Sequence, residues 1–448
     1  MRLVFAASAV SLLAACSPAG PSSHSDNRGA DHNTASAVPA TNEHSATPDP
    51  PPPSETLEQC RAAAESGDAV AMYRLGVRYR TGDGVEKDLN AAIIWFSRAG
   101  ATQNDPVSLY ELGRMYETGE VPSTDTMNAL VWYQRAADAG HAGAMRELAQ
   151  RYSTGSGVDR NLETAVEWNR RAAEAGDADA MNDLGIAYQD GRGVTQSDAE
   201  ALKWFRKSAE AGSASGMFNL GIDYEQGIAV RQDLREAAKW YLKAAEGGHN
   251  AAMLNIGFFY YEGHGVQQSD ARALMWFERA AKAGNVKAML NLGMVCEQGL
   301  LGKAVDRVSA FSWYRTMMTE MNAGRCSVHD AEPAWQNMQA LCRDPRMLAS
   351  ITAAAERGRV ESMLDMAYLS CEGRCGVQRN PSRGLEWYER AAKAGSQDAM
   401  VQVWAMKRRG VDGIPRDDAG AAEALKKARD SGVDLSPSQR QWLAEHDK

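Results

Sequence analysis

Tryptophan recurs along this chain at a nearly fixed interval. Eight of the 11 tryptophans form a series in which neighbours are separated by 36 or 37 residues. The one exception is a gap of twice that length, and the tryptophan missing from it would fall at Ser350. A second series, mostly leucine, has the same interval and the same gap. Such a period is typical of repeat arrays, in which every unit packs on its neighbours. The first series is Trp95, Trp132, Trp168, Trp204, Trp240, Trp276, Trp313 and Trp387, and the second is Leu75, Leu112, Leu148, Leu184, Leu220, Ile256, Leu292, Met366 and Val403.

Residues 180–212 show one complete unit. Met181, Leu184 and Tyr188 recur at helical spacing and define one apolar helix face. A second helical face follows in the same unit. Because each helix has only one apolar side, the unit can bury its core only against neighbouring units. The second face comprises Ala201, Trp204, Phe205, Ser208 and Ala209.

A small residue directly follows the leucine in the first helix of most units. Glycine inside a helix costs roughly 1 kcal/mol relative to alanine, so its recurrence predicts that the second helix crosses there at close range. We expect the tryptophan of the second helix, with the Ala-Ala pair after it, to pack against these small residues. They are Gly76, Gly113, Ala149, Gly185, Gly221, Gly257 and Gly293.

Helix-capping residues mark the start of the second helix. Three residues after a loop valine stands a Ser, Asp or Asn, the types favoured at the N-cap. In the last of these positions Pro381 follows Asn380, and proline is favoured as the first helical residue. The pattern predicts helix starts after Asp88, Asn161, Ser197, Asp233, Ser269 and Asn380.

Together these residues form a recognisable pattern. It resembles the Sel1-like repeat, a relative of the tetratricopeptide repeat, over roughly residues 56–431. The resemblance implies an all-α fold, a right-handed α-solenoid of antiparallel helix pairs with about nine to ten units. It also implies an adaptor or scaffold that binds a protein or peptide partner. The residues that carry it are Ala180-Met181, Leu184-Gly185, Tyr188, Gly191, Gly193-Val194 and Trp204-Phe205.

The predicted repeat region spans residues 55–431 and contains one irregular unit. Across residues 323–354 the period persists but the pattern residues are lost, and Pro333 and Trp335 stand out of register. Residues 57–67 align with a second helix and are expected to cap the N-terminal end of the array. Residues 432–448 are expected to form a C-terminal cap helix and tail.

Residues 1–16 have the form of a lipoprotein signal peptide. An apolar run follows Arg2 and is too short to span a membrane. The ending Leu13-Ala14-Ala15-Cys16 resembles the bacterial lipobox, which implies lipidation of Cys16 by acyl chains such as palmitate. The alternative is an ordinary secretory signal with an incidental cysteine. Ser17 resembles the residue of outer-membrane lipoproteins, so the expected location is the periplasmic face of that membrane.

Residues 17–54 are predicted to be a disordered tether. They are rich in Ser, Pro, Ala, Asn and Asp, and they lack Leu, Ile, Phe, Trp and Tyr. The whole chain has a net charge of −9 and a pI near 5.5. This acidity argues against a nucleic-acid partner and against broad binding to anionic lipid. Membrane contact is therefore expected through the lipid anchor only.

Six cysteines follow the predicted lipidation site, and an oxidising compartment would favour disulfides between them. We predict the pairs Cys326–Cys342 and Cys371–Cys375, which are close in sequence in the irregular C-terminal third. The spacing of the second pair also permits a structural zinc site as an alternative. The states of two further cysteines, which lie too far apart along the array to pair, stay open: Cys60 and Cys296.

Polar residues occupy one register of the first helices, two residues after the methionine position and away from the apolar face. Their amides and carboxylates could hydrogen-bond an extended peptide, as grooves of related repeats do. Alternatively, they could bond to the neighbouring helix and fix the stacking of the repeats. This polar register comprises Arg74, Glu111, Glu147, Asp183, Asn219, Asn255, Asn291, Asp365 and Gln402.

Aromatic residues crowd into the fifth and sixth units. Phe259 and Tyr261 fall beside the core register, and Phe218 and Phe258 lie nearby. An exposed aromatic patch would serve as an anchor for a partner. A larger core is the alternative explanation.

Sequence signatures of enzymes are absent. The chain has no H-E-x-x-H, no phosphate-binding loop and no Ser-x-x-K with K-T-G. We therefore expect a non-enzymatic protein without a cofactor or metal. Because weak β-lactam hydrolysis is attributed to some cysteine-rich Sel1-like proteins, a hydrolase of β-lactams or peptidoglycan fragments is the alternative function. Other Sel1-like lipoproteins serve envelope or polysaccharide-export complexes, and the resemblance implies such a setting here.

Overall fold

The computed structural model describes residues 56–120, 126–324, 326–411 and 413–446. The predicted signal peptide, the predicted lipidation site Cys16 and the tether of residues 17–54 lie outside the described residues. Within the described part of the chain, 22 helices pack as antiparallel pairs with a repeat of about 36 residues. The prediction of an all-α array of helix pairs is confirmed. The described part of the chain divides into two compact units, one ending at residue 268 and the other beginning at residue 269.

The first compact unit contains the more regular repeats. Its helices are mostly 13 residues long, and successive helices pack on one another through short connections. They are α1 (Leu57–Glu65), α2 (Ala69–Thr81), α3 (Leu89–Gln103), α4 (Pro106–Glu117), α5 (Thr126–Asp138), α6 (Ala142–Thr154), α7 (Leu162–Glu174), α8 (Ala178–Asp190), α9 (Asp198–Glu210), α10 (Ala214–Gln226), α11 (Leu234–Glu246) and α12 (Asn250–Glu262).

The second compact unit contains regular repeats on either side of an irregular helix pair. Its helices are α13 (Asp270–Lys282), α14 (Val286–Gln298), α15 (Arg307–Asn322), α16 (Val328–Cys342), α17 (Pro345–Glu356), α18 (Val360–Glu372), α19 (Pro381–Lys393), α20 (Gln397–Arg409), α21 (Asp418–Asp430) and α22 (Pro437–His446).

The predicted N-caps are confirmed at all six positions. The Asn161 side chain, for example, accepts a hydrogen bond from the Thr164 backbone N–H at 3.0 Å. The loop after the first helix of a regular repeat contains glycines that allow the loop backbone to approach the preceding repeat closely. At Gly193, with φ +72°, a Cβ would collide with the Leu162 carbonyl. The loop of one repeat therefore rests on the start of the preceding second helix.

In five of the described repeats a glycine of the first helix packs against the aromatic residue that follows the tryptophan. A Cβ added to Gly185 would lie 2.6 Å from the Phe205 ring. The prediction that tryptophan fills this contact is wrong, because consecutive helical residues point about 100° apart and Trp204 faces the neighbouring repeat instead. The other glycine–aromatic pairs are Gly76 with Phe96, Gly113 with Tyr133, Gly221 with Tyr241 and Gly293 with Tyr314.

Trp204 and Trp240 lie where adjacent repeats meet. Trp204 packs on the core cluster that contains Val166 of the preceding second helix, and Trp240 packs on the cluster that contains Leu202. In seven repeats a cation three residues later lies over the tryptophan ring, a cation–π contact that adds about 0.5–1 kcal/mol where it is exposed. These cations are Arg98, Arg135, Arg171, Lys207, Lys243, Arg279 and Arg390.

A buried tyrosine in the aromatic position has an acidic partner. The Tyr241 hydroxyl donates to Glu225 Oε2 at 2.5 Å, and burial with this carboxylate raises the pKa of Tyr241 well above its ordinary value. Where phenylalanine stands, as at Phe205, the residue in the glutamate position is Gln189. Further tyrosine–glutamate pairs are Tyr133 with Glu117 and Tyr314 with Glu297.

The irregular unit forms helices α16 and α17, and Pro333 lies inside α16. Cys342 at the end of α16 forms a disulfide with Cys375, which lies in the loop after α18. The guanidinium of Arg374 also lies 4.2 Å from the centre of the Trp335 ring. These two contacts join α16 to the loop that follows α18.

Both predicted disulfide pairings are wrong. Cys326 precedes α16 and Cys342 ends it, so the helix separates them by roughly 20 Å at 1.5 Å per residue. Cys371 lies in the last turn of α18 and faces Gly384 of α19, whereas Cys375 leaves the helix toward Cys342. Cys371 and Cys326 are therefore free thiols, and burial raises the pKa of both.

Candidate partner-binding surface

The polar register lies on the first helices, and several of its members bond to neighbouring helices. Glu111 of α4 is 5% exposed and accepts a hydrogen bond from Arg80 of α2 at 2.5 Å. Asn219 of α10 donates to Asn182 of α8 at 2.8 Å. These contacts tie consecutive first helices together. The sequence left two roles open for the polar register, peptide binding and stacking of the repeats. At Glu111 and Asn219 the structure shows stacking.

Asp365 of α18 is the most deeply buried member of the polar register. It accepts hydrogen bonds from Arg315 Nε at 2.7 Å and from Ser312 Oγ at 2.6 Å, both on α15. Burial raises the pKa of Asp365, while the guanidinium and the hydroxyl oppose that rise. A carboxylate enclosed in this way joins two helices and is not accessible to a partner.

The register is charged where α6 and α8 adjoin. Arg146 of α6 lies 3.6 Å from Asp177 and 3.5 Å from Asp179. Burial raises the pKa of Asp183 to about 6, the Arg146 guanidinium opposes that rise, and the two aspartates reinforce it. Burial likewise raises the pKa of Glu147. Both side chains keep part of their surface open to solvent.

The remaining members of the register are half-buried. The Asn255 side chain hydrogen-bonds the Tyr241 hydroxyl, and Arg74 also has polar contacts in the fold. Asn291 of α14 and Gln402 of α20 keep their amides partly open to solvent. Neither of these two amides hydrogen-bonds another side chain or backbone group among residues 56–120, 126–324, 326–411 and 413–446. They are the register members best placed to bond an external peptide.

The predicted aromatic anchor is not an exposed patch. Phe259 is 1% exposed and packs edge-on against Tyr241, with 5.3 Å between ring centres. Phe258 is buried, and Tyr261 is half-buried. A larger core therefore explains these aromatic residues, since the rings of Phe259 and Tyr241 pack on each other between adjacent helices.

Two histidines have structural positions that the sequence did not reveal. His141 and His249 are the N-caps of α6 and α12, where their Nδ1 atoms accept a hydrogen bond from the backbone. Their rings stack on Tyr110 and Phe218, with centre distances of 4.3 and 4.4 Å. Burial lowers the pKa of His141 to about 4. The sequence signal that could have identified them as N-caps is their position in the repeat, which is the same as that of the N-cap Asp177.

An open groove of about 610 Å³ lies between α15 and α17. Its walls include Val308 of α15 and Ala353 of α17, and Ser350 lies on the same wall as Ala353. We call it the Ser350 groove. Ser350 occupies the position of the missing tryptophan in the 36–37-residue period. The groove therefore lies at a position of the series where a small residue replaces the tryptophan, as Ala424 also does in α21.

No group of three or more His, Cys, Asp or Glu side chains in the described ranges could hold a metal ion. None of the helices described is both long enough and apolar enough to cross a bilayer.

Solved structures share this architecture. The protein c5321, described as a protective antigen present in uropathogenic Escherichia coli strains displaying an SLR fold, is 28% identical, with a TM-score of 0.54, over 87% of this chain and 93% of that chain. A Sel1 repeat protein from Oxalobacter formigenes is 29% identical, with a TM-score of 0.50, over 59% of this chain and 99% of that chain. No curated protein matches the chain.

The Sel1 repeat pattern accounts for most of the helix pairs. Members of this family are mostly non-enzymatic scaffolds, although some are hydrolases. The pattern matches residues 69–101, 106–141, 142–177, 178–213, 214–249, 250–285, 286–316 and 360–396, and it omits the irregular pair α16 and α17. Because these matches span more than half of the 448 residues, the chain belongs to the Sel1 repeat family.

Proposed function

We propose that this chain is a lipid-anchored scaffold of the bacterial cell envelope that binds a protein or peptide partner. The Sel1 repeats support a role in protein–protein interaction. The lipobox-like ending at Cys16 and the tether of residues 17–54 support attachment to the periplasmic face of the outer membrane. In this proposal the scaffold is a component of an envelope or polysaccharide-export complex.

The observation that carries the proposal is the partial exposure of the polar register on successive first helices. Glu111, Asn219 and Asp365 hold adjacent helices together. Asn291 and Gln402 keep their amides available, and an amide can both donate to and accept from a peptide backbone. The bonded members thus fix the spacing of the repeats, and the open members bind the partner.

A capture experiment tests this role. Cells expressing the tagged chain are crosslinked, and the captured proteins are quantified by mass spectrometry. The variant Asn291→Ala/Gln402→Ala is expected to lose most of the specifically captured protein and to keep its thermal stability, because neither amide bonds within the fold. The matched control is Glu200→Ala/Glu236→Ala on α9 and α11, where each glutamate only pairs with a lysine three residues along.

Equal capture by the two variants would reject the polar register as the binding surface. Loss of thermal stability in the Asn291→Ala/Gln402→Ala variant would indicate a stacking role for these amides as well. Rapid hydrolysis of a chromogenic β-lactam by the purified chain would reject the non-enzymatic assignment.

Membrane attachment is tested separately at Cys16. The natural chain should incorporate a labelled fatty acid and fractionate with the outer membrane, whereas Cys16→Ser should do neither. Fatty-acid labelling of the Cys16→Ser variant, or release of the natural chain into the soluble periplasmic fraction, would contradict the lipid anchor. Partner capture does not depend on this result.

A further inference from the structure

We propose that the Ser350 groove binds an acidic segment of a partner polypeptide that inserts a bulky apolar side chain between α15 and α17. This inference deepens the proposed scaffold function by naming a second contact and the chemistry of the partner segment. It rests on three observations: a missing tryptophan, a cationic rim and the apolar walls of the groove.

The first observation is what the groove lacks. Most other repeats have a tryptophan at this position, and Trp204, for example, packs on the cluster containing Val166 of the preceding second helix. In seven repeats a cation three residues later lies over the tryptophan ring, as Lys207 does for Trp204. In α17 these two positions hold Ser350 and Ala353. Both large side chains are therefore replaced by small ones, and the space between the second helices stays open.

The second observation is the charge around the opening. Arg346, Arg357 and Arg359 line the groove together with one acidic residue, Asp306. The charge of Arg359 is partly neutralised by Asp306 at 3.8 Å and Glu361 at 4.0 Å. Its guanidinium also donates to Ser309 Oγ at 2.7 Å. Arg346 and Arg357 are exposed and form no ion pair within the described ranges of the chain.

This local excess of positive charge contrasts with the net charge of −9 for the whole chain. The field at the groove therefore attracts anionic groups, while much of the remaining surface repels them. Arginine binds carboxylates through two parallel N–H bonds, so acidic side chains of a peptide suit Arg346 and Arg357 well. Electrostatic complementarity of this kind selects the partner and orients it.

The third observation is that half of the residues that line the groove are apolar. Val308 and Ala353 face the open space, together with Pro345, Ala349 and Ala354. The open space along these walls has a volume of about 610 Å³. A small inorganic anion would use only the arginines and leave these walls in water. A tryptophan or leucine flanked by acidic residues would use both features.

Binding is tested on the full chain with a defined probe. The probe is a fluorescein-labelled peptide of acidic residues around a single tryptophan, followed by fluorescence anisotropy. We expect saturable binding that weakens at high salt. Two control peptides, one with alanine in place of the tryptophan and one with lysines in place of the acidic residues, should each bind about tenfold more weakly or worse.

Variants locate the bound peptide. Ser350→Trp restores the residue of the other repeats and should abolish binding without lowering thermal stability. Arg346→Glu/Arg357→Glu should weaken binding by about tenfold or more, because it reverses the charge of the rim. Arg343→Ala, an exposed arginine outside the groove, is the matched control and should bind as the natural chain does.

Three results would overturn the groove assignment. They are the absence of saturable binding, binding unchanged in both the Ser350→Trp and the charge-reversed variants, and equal binding of the alanine control peptide, which would indicate an anion site only. None of these depends on the polar register. If one of these three results is obtained while partner capture still requires Asn291 and Gln402, the groove assignment fails and the scaffold function stands. If the peptide binds as expected while capture does not require those amides, the polar register fails as the binding surface and the groove assignment stands.

Discussion

The contact between glycine and the aromatic ring makes a testable prediction about how each helix pair is held. In the Gly185→Ala variant, the new methyl group would lie 2.6 Å from two carbons of Phe205. Phe205 is 1% exposed, so its ring is enclosed on all sides and cannot rotate away freely. The methyl group therefore forces α8 and α9 apart or strains the ring.

Two opposing effects set the magnitude. Replacing glycine by alanine inside a helix stabilises it by about 1 kcal/mol. Overpacking a buried contact by one methyl group costs about 1–3 kcal/mol. We therefore expect Gly185→Ala to lower the free energy of unfolding of this repeat by about 1 kcal/mol. In a Phe205→Asn background the ring is gone, and the same change should raise that free energy by about 1 kcal/mol.

The third repeat naturally contains the combination found in the Gly185→Ala/Phe205→Asn double variant. There Ala149 stands in the glycine position, and Asn169 replaces the aromatic residue. The side-chain oxygen of Asn169 is buried without a hydrogen-bond partner in the described part of the chain. In this repeat the glycine is replaced by a larger residue and the aromatic ring by a smaller one, as expected if the two side chains pack directly on each other.

The assay is hydrogen exchange read by mass spectrometry over α8 and α9. It reports the local opening free energy, which suits a repeat array because such arrays need not unfold in one step. Four proteins complete the cycle: the natural chain, Gly185→Ala, Phe205→Asn and the double variant. A coupling energy of about 2 kcal/mol is expected. If Gly185→Ala slows exchange equally with and without Phe205, the packing argument is refuted.

Three further predictions concern polar and covalent contacts. Tyr241→Phe should lower the unfolding free energy by about 2 kcal/mol, because Glu225 is left buried without its donor, and Tyr241→Phe/Glu225→Gln should recover most of the loss in thermal unfolding. His141 favours its neutral form in the fold, so it contributes about 3 kcal/mol that is fully present above pH 6.5 and is lost as the pH falls through about 4. His141→Asn should keep the cap and flatten this part of the stability–pH curve, and an unchanged curve would contradict the assignment. Replacing Cys342 and Cys375 by alanine should cost about 4 kcal/mol from the entropy of a loop of 33 residues, whereas detection of the Cys342–Cys375 peptide pair only after deliberate oxidation would count against a native bond.

Much of the fold was predictable because local signals repeat. The tryptophan and leucine series fixed the period, and the N-cap residues fixed the helix starts, since a side chain such as Asn161 acts on its own backbone. Which aromatic residue meets the glycine was not predictable in this way. Trp204 and Phe205 both lie on the apolar face, and only the angle at which the two helices cross decides which ring points inward.

The disulfide illustrates a second limit. Cys371 and Cys375 are close in sequence, but the end of α18 turns one toward Gly384 and the other toward Cys342. That geometry depends on how the irregular helix α16 packs, and α16 lacks the residues of the repeat pattern. Sequence proximity therefore selected the wrong partners.

The candidate site was predictable in position but not in its contacts. The polar register follows from the helical period alone. The partners of Glu111 and Asp365, in contrast, come from residues that lie 31 and 50 positions away in the chain, Arg80 and Arg315. Which amides remain open, such as that of Asn291, is known only after these contacts are seen.

Site-specific photo-crosslinking in cells tests the scaffold account most directly. A photoreactive amino acid replaces either Lys287, one helical turn before Asn291 on α14, or Glu236, on the exposed side of α11, so that both open amides are kept. The account predicts a discrete crosslinked protein band from position 287 and none from position 236. Equal labelling from the two positions, or a band from position 236 alone, would contradict it.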